Sequence, residues 1–338
     1  MYHLLVLFLS LAVLLNACGG RPLPAPTPLL PPLTPTSTPS VLPPPTASPT
    51  VTPSPTLPPT FTPTPPPPIP AFEHIVIIVF ENKEFGTVIG NRRMPYFNRL
   101  AQEYTLLTQH YAITHPSLPN YLAMIGGDTF GIKRNCEDCF IQAPNLADFI
   151  EASGRSWKTY QESMPRPCFL GSTLKYVQKH NPFIYFDSIR LDPARCQRIV
   201  PLTELFTDLE QGSLPNFAFI TPNLCNSAHD CGLEVADAWL QDLLSKLWPA
   251  LEAAGAPYLI VLTWDEGQGS HSCCGLPPEA GGRIATVLIS PQARRQFQDA
   301  TPYTHYSLLK TILMAWNLPL FGHAADENHV PIEAPFRP

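Results

Sequence analysis

Residues 256–267 read Ala256-Pro257-Tyr258-Leu259-Ile260-Val261-Leu262-Thr263-Trp264-Asp265-Glu266-Gly267, a short apolar run that ends in two adjacent carboxylates. A continuous apolar run of this length is typical of a buried strand in a parallel sheet. Open α/β folds bind ligands at the carboxyl ends of such strands. Asp265 and Glu266 would repel each other there unless a positive group lies beside them, and a divalent cation is the natural candidate. The segment therefore suggests a metal-dependent hydrolase.

Apolar strands and amphipathic helices alternate on both sides of this run. The predicted strands are 74–80, 216–220, 258–263 and 284–289, and the predicted helices are 97–104, 120–125, 146–152, 236–248 and 306–316. Such alternation predicts an α/β domain built as a three-layer sandwich with a mainly parallel central sheet. Residues 155–200 lack a clear period, and we expect them to form a small cap insertion over the strand ends.

The first 70 residues differ in character from the rest of the 338-residue chain. Residues 1–18 resemble a lipoprotein-type signal peptide that ends at Cys18, the residue that would carry the lipid anchor. Residues 19–70 are rich in Pro and Thr and cannot bury a core, so we expect a disordered stalk. Residues 71–338 are then the folded catalytic domain. These features predict an exported, cell-surface lipoprotein held at a membrane through Cys18, with ordinary cleavage and secretion as the alternative.

Charge and cysteine content narrow the class further. The net charge of −6 argues against nucleic acid as a partner, and no feature of the sequence sets an oligomeric state. Apart from Cys18, the even number of cysteines in an exported chain suggests disulfides, although sequence does not fix their pairing. The plausible pairs are Cys136–Cys139, Cys225–Cys231, Cys168–Cys196 and Cys273–Cys274. A zinc site at Cys136-x-x-Cys139 is the alternative.

Three loops carry the residues that suggest chemistry. Glu81 and Asn82 follow the first strand, Asp265 and Glu266 follow the strand at 258–263, and Ser117 begins a helix. If the loops meet at one edge of the sheet, the four acidic and amide side chains offer oxygen ligands to a hard divalent ion. A helix N-terminus favours an anion such as phosphate, and a nearby metal ion would activate the Ser117 hydroxyl as a nucleophile.

Further side chains complete this hypothesis. Asn120 lies one turn after Ser117 and is expected to donate to a phosphoryl oxygen. His229 and His305 are expected to bind phosphate or to protonate the leaving group. Taken singly, each of these residues has an ordinary structural explanation: Ser117 as a helix cap, Glu81-Asn82 as a turn, and His305 as a polar residue at a helix start.

Five motifs in order resemble the bacterial phosphoesterase family of acid phosphatases and phospholipase C enzymes, within the alkaline phosphatase superfamily. They extend over about residues 72–322 and are Phe80-Glu81-Asn82-Lys83, His115-Pro116-Ser117-Leu118-Pro119-Asn120-Tyr121, Thr221-Pro222-Asn223-x-x-Asn226-x-x-His229-Asp230, Thr263-Trp264-Asp265-Glu266-Gly267 and Thr304-His305-Tyr306-Ser307.

The resemblance implies an alkaline-phosphatase-like fold and a phosphoserine intermediate on Ser117. It implies one divalent ion, with Ca, Mg, Mn and Zn not distinguished, held by Glu81, Asn82, Ser117, Asp265 and Glu266. A second ion is doubtful because Asn223 stands where an acid is expected, and Asn223 becomes a candidate substrate contact instead. His229, Asp230 and His305 are implied to form a phosphate-binding and proton-transfer cluster, which His115 joins.

The implied activity is that of a phosphoric ester hydrolase, with phosphomonoesters favoured. A phospholipase C type phosphodiesterase is the nearest alternative. A non-catalytic surface binding module on the same fold is the alternative from a different class.

Overall fold

The computed structural model of this chain describes residues 68–337. The predicted signal peptide, Cys18 and most of the Pro/Thr-rich segment lie outside the described residues. A single sheet forms the centre of the described part, and its nine strands are β1 (His74–Phe80), β2 (Thr105–Tyr111), β3 (Trp157–Gln161), β4 (Ile199–Pro201), β5 (Phe217–Thr221), β6 (Tyr258–Trp264), β7 (Arg283–Ile289), β8 (Phe297–Asp299) and β9 (Tyr303–Thr304).

The sheet is mostly parallel, as predicted. The strand order is β4-β3-β5-β1-β6-β7-β2-β8, and β9 also pairs with β2. Strand β7 runs antiparallel to both of its neighbours, β6 and β2, while the other pairings are parallel. Strands β1, β2 and β6 therefore point the same way, and their carboxyl ends lie at one edge of the sheet.

Helices cover both faces of this sheet. They are α1 (Phe85–Val88), α2 (Pro95–Glu103), α3 (Ser117–Gly126), α4 (Leu146–Ala152), α5 (Asp187–Arg190), α6 (Pro193–Cys196), α7 (Thr203–Glu210), α8 (Leu233–Ala254) and α9 (His305–Ala315). Helices α3, α4 and α9 pack on one face, and α2, α7 and α8 pack on the other. The predicted three-layer α/β class is confirmed.

Strand β1 shows why its sequence is apolar at every position. Ile75, Ile77 and Val79 belong to the core on the α3 side, whereas Val76, Ile78 and Phe80 belong to the core on the α8 side. Because successive strand residues point to opposite faces, a central strand needs apolar side chains on both. Each such side chain contributes about 1.5–3 kcal/mol by leaving water. The same packing fixes where the strand ends, and so where Glu81 begins.

The segment 155–200 differs from the expectation of a cap insertion along its whole length. Its two ends form β3, which pairs with β5, and the edge strand β4, which pairs with β3. Only the part between them leaves the sheet, and it contains α5, α6 and two short 3-10 helices at Gln178–His180 and Pro182–Tyr185. The hydrophobic pattern of this segment lacks a clear period because β3 carries polar residues, such as Thr159 and Gln161, that are buried in the sheet.

Four disulfides are present among the described residues. They join Cys136 to Cys139, Cys168 to Cys196, Cys225 to Cys231 and Cys273 to Cys274, which are the pairs regarded as plausible from the sequence. The bond between Cys136 and Cys139 excludes zinc ligation by these two thiols in this state. No helix of the described part has the length and apolar character needed to cross a bilayer.

Candidate active site

The ends of β1 and β6 bring the predicted acidic residues together. Phe80 pairs with Trp264 at the last register position, so Glu81 and Asp265 leave the sheet side by side. The Asp265 amide donates to the Phe80 carbonyl over 2.9 Å, and the Asn82 amide donates to Asp265 Oδ1 over 2.9 Å. Asn82 adopts a positive φ of 55°, which asparagine tolerates better than most residues. The local backbone therefore holds the two loops against each other.

Ser117 lies between the acids of these two loops. Its hydroxyl is 3.4 Å from Glu81 Oε2 and 3.3 Å from Glu266 Oε1, although the three residues are far apart in sequence. It is the first residue of α3 and is almost fully buried. The predicted convergence of Glu81, Ser117 and Glu266 is therefore present in the structure.

Glu81 is ionised in spite of complete burial. Burial by itself would raise its pKa, but the nearby His180 and the Tyr121 hydroxyl outweigh that effect and lower the pKa to about 2. The Tyr121 hydroxyl donates to Glu81 Oε1, and His180 Nε2 lies 3.1 Å from the same oxygen. The His180 contact has ion-pair distance but not the alignment of a hydrogen bond. One oxygen of Glu81 thus faces Tyr121 and His180, and the other faces Ser117.

The contacts of Asp265 do not offset the cost of burying its charge as those of Glu81 do. Burial and then the charges of Glu81 and Glu266 hold its pKa well above its usual range. Its Oδ2 atom is buried and has no hydrogen-bond partner in the described part of the chain. A buried carboxylate oxygen without a partner is costly and calls for an explanation.

The residues around this orphaned oxygen fit the divalent ion that the family resemblance implies. Carboxylate, hydroxyl and amide oxygens are the donors that hard cations prefer. A positive ion would also offset the repulsion that raises the pKa of Asp265. The side chains that the sequence predicts as its ligands are Glu81, Asn82, Ser117, Asp265 and Glu266, and the structure places Ser117 between Glu81 and Glu266.

Two of the predicted histidines support Asp265 and Glu266. His115 Nδ1 lies 2.5 Å from Glu266 Oε2, and its Nε2 lies 2.9 Å from the Gly269 carbonyl. The hydrogen bond to Glu266 raises the pKa of His115. His305 is fully buried and its Nε2 is 2.6 Å from the Asp265 carbonyl, while burial lowers its pKa to about 4. His305 is therefore neutral and braces the strand end from inside the domain.

A second cluster lies on the other side of Glu81. His180, His229 and Glu81 each place one ligand-type atom within 4.8 Å of the others, a grouping that could hold a metal ion. However, the Lys179 ammonium lies 3.4 Å from His229 Nε2, and a cation there would be repelled by it. His229 Nδ1 lies 2.6 Å from Asp230 Oδ1. Lys179, His180 and His229 thus bring nitrogen donors together beside Glu81, and Asp230 orients the His229 ring.

The two predicted asparagines hold loops. The Asn120 side chain accepts from the Ile113 amide over 2.8 Å and donates to the Thr114 carbonyl over 2.7 Å, so it shapes the turn before Ser117. Asn223 Oδ1 accepts from the amides of Cys225 and Asn226, both over 3.0 Å. Both side chains form their hydrogen bonds with other groups of the protein. The structure thus places them as positioning residues rather than at a substrate oxygen.

Sequence reasoning assigned no role to His180, Lys179 or Tyr121. Tyr121 lies in the His115–Tyr121 motif and could have been found from its position one turn after Ser117. His180 and Lys179 lie in the segment 155–200, whose lack of period hid their position. Their only sequence signal was a Lys-His pair in a segment expected to cover the strand ends.

Comparison with known proteins places the chain in a family. The Phosphoesterase family profile matches residues 91–319, and this chain belongs to that family. A phosphate-repressible acid phosphatase of Penicillium chrysogenum is 36% identical over 265 residues, covering 75% of this chain and 61% of that protein. A phosphatidylinositol-3-phosphatase of Mycobacterium tuberculosis is 33% identical over 263 residues, covering 76% of this chain and 81% of that protein.

The fold is shared with solved structures of low sequence identity. The lipoteichoic acid synthase LtaP of Listeria monocytogenes aligns with a TM-score of 0.53 and 10% identity, covering 76% of this chain and 75% of that one. The chain spans less than two thirds of the length of the Penicillium relative. The family predicted from the five motifs is confirmed.

Proposed function

We propose that this chain is an exported, metal-dependent phosphoric ester hydrolase that acts on phosphomonoesters through a phosphoserine intermediate on Ser117. The observation that carries the proposal is the position of the Ser117 hydroxyl, 3.4 Å from a Glu81 oxygen and 3.3 Å from a Glu266 oxygen. Relatives named acid phosphatases and a phosphatidylinositol-3-phosphatase support the reaction class.

The reaction has two halves with Ser117 at their centre. In the first, Ser117 Oγ forms a bond to phosphorus, its proton passes to a neighbouring carboxylate, and the bond from phosphorus to the alcohol oxygen breaks. The departing alcohol oxygen takes a proton, which we assign to His115, whose ring contacts Glu266. In the second half a water molecule attacks phosphorus, inorganic phosphate leaves and the Ser117 hydroxyl is restored.

The charges around Ser117 suit these two halves. The Glu266 carboxylate lies close enough to the Ser117 hydroxyl to receive its proton. Lys179, His180 and His229 face the opposite side and suit the phosphoryl oxygens. A bound divalent ion would supply Lewis-acid stabilisation of charge and a lowered pKa for the Ser117 hydroxyl.

Export and anchoring belong to the same proposal. Four disulfides among the described residues suit an oxidising compartment. The segment ending at Cys18 would supply a lipid anchor and the Pro/Thr-rich residues a stalk. We propose a cell-surface lipoprotein, and labelling with a fatty-acid probe that is lost in a Cys18→Ser variant tests it. Unchanged labelling of that variant would contradict the anchor.

The purified full chain should hydrolyse p-nitrophenyl phosphate, and prolonged chelation should lower kcat/KM by at least about 10²-fold because the carboxylate cradle loses its cation. Adding back Ca²⁺, Mg²⁺, Mn²⁺ or Zn²⁺ separately should restore turnover and identify the ion. The matched diester p-nitrophenyl phosphorylcholine tests the phospholipase C alternative. Absence of turnover with either ester contradicts the hydrolase and leaves the binding module, while full activity after chelation contradicts metal dependence.

Replacing His180 with glutamine should lower kcat/KM for p-nitrophenyl phosphate by about 10²-fold, because it removes a group held between Glu81 and His229. His74→Gln is the matched control. His74 is a half-buried histidine at the opposite end of β1, where it contacts the Pro215 carbonyl. Equal effects of the two substitutions would contradict a functional role for His180.

A further inference from the structure

A cavity of about 570 Å³ opens next to the catalytic loop on the side of α9. Its walls come from the loop before Ser117, the segment after α3, the loop between β6 and β7, the start of α9, and the 3-10 helix Gly322–Ala325 with the residues that follow it. Of the described side chains assigned above to phosphate or to the metal ion, His115 alone lies in its wall. The cavity is large enough for a small organic group.

His115 connects this cavity to the reacting centre. The ring contacts Glu266 through Nδ1, and Glu266 in turn contacts the Ser117 hydroxyl. The same ring is 41% exposed and lines the cavity. An ester whose phosphorus lies at Ser117 can therefore extend its alcohol portion past His115 into this space.

The cavity wall is held firmly. Leu276 packs with Ile113 and Tyr306 in a small apolar cluster. The loop that carries Leu276 is anchored by Glu84, whose carboxylate accepts from the amides of Gln268 and Gly269, both over 3.0 Å. A wall fixed in this way can select a ligand by shape and hydrogen bonding.

The lining combines packed rings with exposed hydrogen-bonding side chains. The buried Tyr306 ring lies 4.9 Å from the rings of both His323 and His329 and is tilted against each, so it supports the wall. Glu279 and Asn328 also line the cavity and are exposed, without hydrogen-bond partners of their side chains in the described part of the chain. Their carboxylate and amide oxygens can accept hydrogen bonds from hydroxyl groups of a ligand.

The charged groups in the wall argue against a lipid tail in this space. Glu279, Asp326 and Lys133 line the cavity together with three histidines, and His323 is paired with Asp326 over 2.8 Å. An alkyl chain would strip water from these groups without replacing their hydrogen bonds. A ring that carries several hydroxyl groups can replace those hydrogen bonds.

We propose that this cavity is the leaving-group subsite and that it selects phosphomonoesters whose alcohol portion is a hydroxylated ring, either a sugar or the ribose of a nucleotide. The proposal rests on the proposed function, because it assumes that Ser117 is the point of phosphoryl transfer. It assigns Glu279 and Asn328 as specificity residues that contact the hydroxyl groups.

The test compares substrates in the full-length protein. Glu279→Leu and Asn328→Leu should each lower kcat/KM for glucose 6-phosphate or adenosine 5′-monophosphate by about 10-fold, since a buried hydroxyl then loses its partner. The same variants should change kcat/KM for p-nitrophenyl phosphate less than about twofold, because its ring needs no acceptor there. Glu327→Leu, an exposed neighbour that does not line the cavity, is the matched control.

A change in the substrate checks the same contacts. With the unmodified protein, kcat/KM should be about 10-fold lower for adenosine monophosphate without its 2′ and 3′ hydroxyls than for adenosine monophosphate itself. The variants should not lower kcat/KM for the deoxygenated substrate any further, as expected for groups that interact. If the variants lower kcat/KM only for glucose 6-phosphate, the cavity is a sugar subsite. If they lower it only for the nucleotide, the cavity is a ribose subsite. Equal losses for all esters, or no loss, overturn the subsite while leaving the hydrolase intact. Absence of turnover with every ester overturns both.

Discussion

Replacing Ser117 with alanine is expected to lower kcat for p-nitrophenyl phosphate by about 10⁴-fold or more. Loss of a nucleophile typically removes most of the rate enhancement of an enzyme with a covalent intermediate. The hydroxyl lies between Glu81 and Glu266 and is nearly fully buried, so no solvent-exposed group can take its place. Steady-state kinetics with the full chain measures the effect.

Ser245→Ala is the matched control for this substitution. Ser245 lies on the exposed side of α8 and its hydroxyl donates to the Asp242 carbonyl one turn earlier. Its loss should leave kcat unchanged within about twofold. A Ser117→Ala variant that keeps a tenth or more of the parent activity would show that water, and not the serine, attacks phosphorus.

Replacing Asp265 with asparagine is expected to give the second largest effect, with opposite signs for activity and for stability. Activity should fall by about 10³-fold, because the cation loses a charged ligand. The chelated protein should nevertheless gain about 1 kcal/mol or more in its free energy of unfolding. The gain follows because Asp265 is buried beside Glu81 and Glu266, and its raised pKa shows that the charged form is disfavoured in the folded state.

The pH dependence of this gain in unfolding free energy follows from the raised pKa of Asp265. An acid with a raised folded-state pKa costs stability as pH rises above its unfolded value, so the advantage of asparagine should be small at low pH and grow toward neutrality. Asparagine still accepts from the Asn82 amide, which keeps the loop in place. Urea unfolding at several pH values with chelator present measures the difference.

Added divalent ion provides the complementary measurement. It should stabilise the parent by about 2.7 kcal/mol at 100 times its dissociation constant, and should stabilise Asp265→Asn much less. Asp242→Asn, an exposed acid on α8, serves as the control and should respond like the parent. Equal stabilisation of all three proteins would contradict a cation at Asp265.

The parts of the fold that the sequence predicted are those with continuous or strictly periodic apolar patterns. Strands β1 and β6 are buried on both faces, so nearly every residue in them is apolar. Strand β2 was missed because it includes His110, a buried polar residue whose Nδ1 atom contacts the Thr286 hydroxyl on the neighbouring strand. Only the tertiary partner makes such a residue acceptable within a sheet.

The same distinction applies to the site. The loops with Glu81, Ser117 and Glu266 were predictable because strand direction and chain order bring their ends to one edge. The inward orientation of the Asn120 amide depends on the turn at Ile113 and Thr114, and no sequence pattern predicts that turn. His180 depends on a segment that leaves the sheet and returns to it. Its approach to Glu81 follows from that path and not from a local motif.

The central claim is that Ser117 carries the phosphoryl group during turnover. Quenching the full-length protein with acid while it hydrolyses p-nitrophenyl phosphate, followed by peptide mass spectrometry, tests it most directly. One added phosphoryl group is expected on the peptide that contains Ser117, and none on the same peptide of Ser117→Ala. A phosphoryl group on another residue, such as His229, or an active enzyme that never becomes labelled under single-turnover conditions, would contradict it.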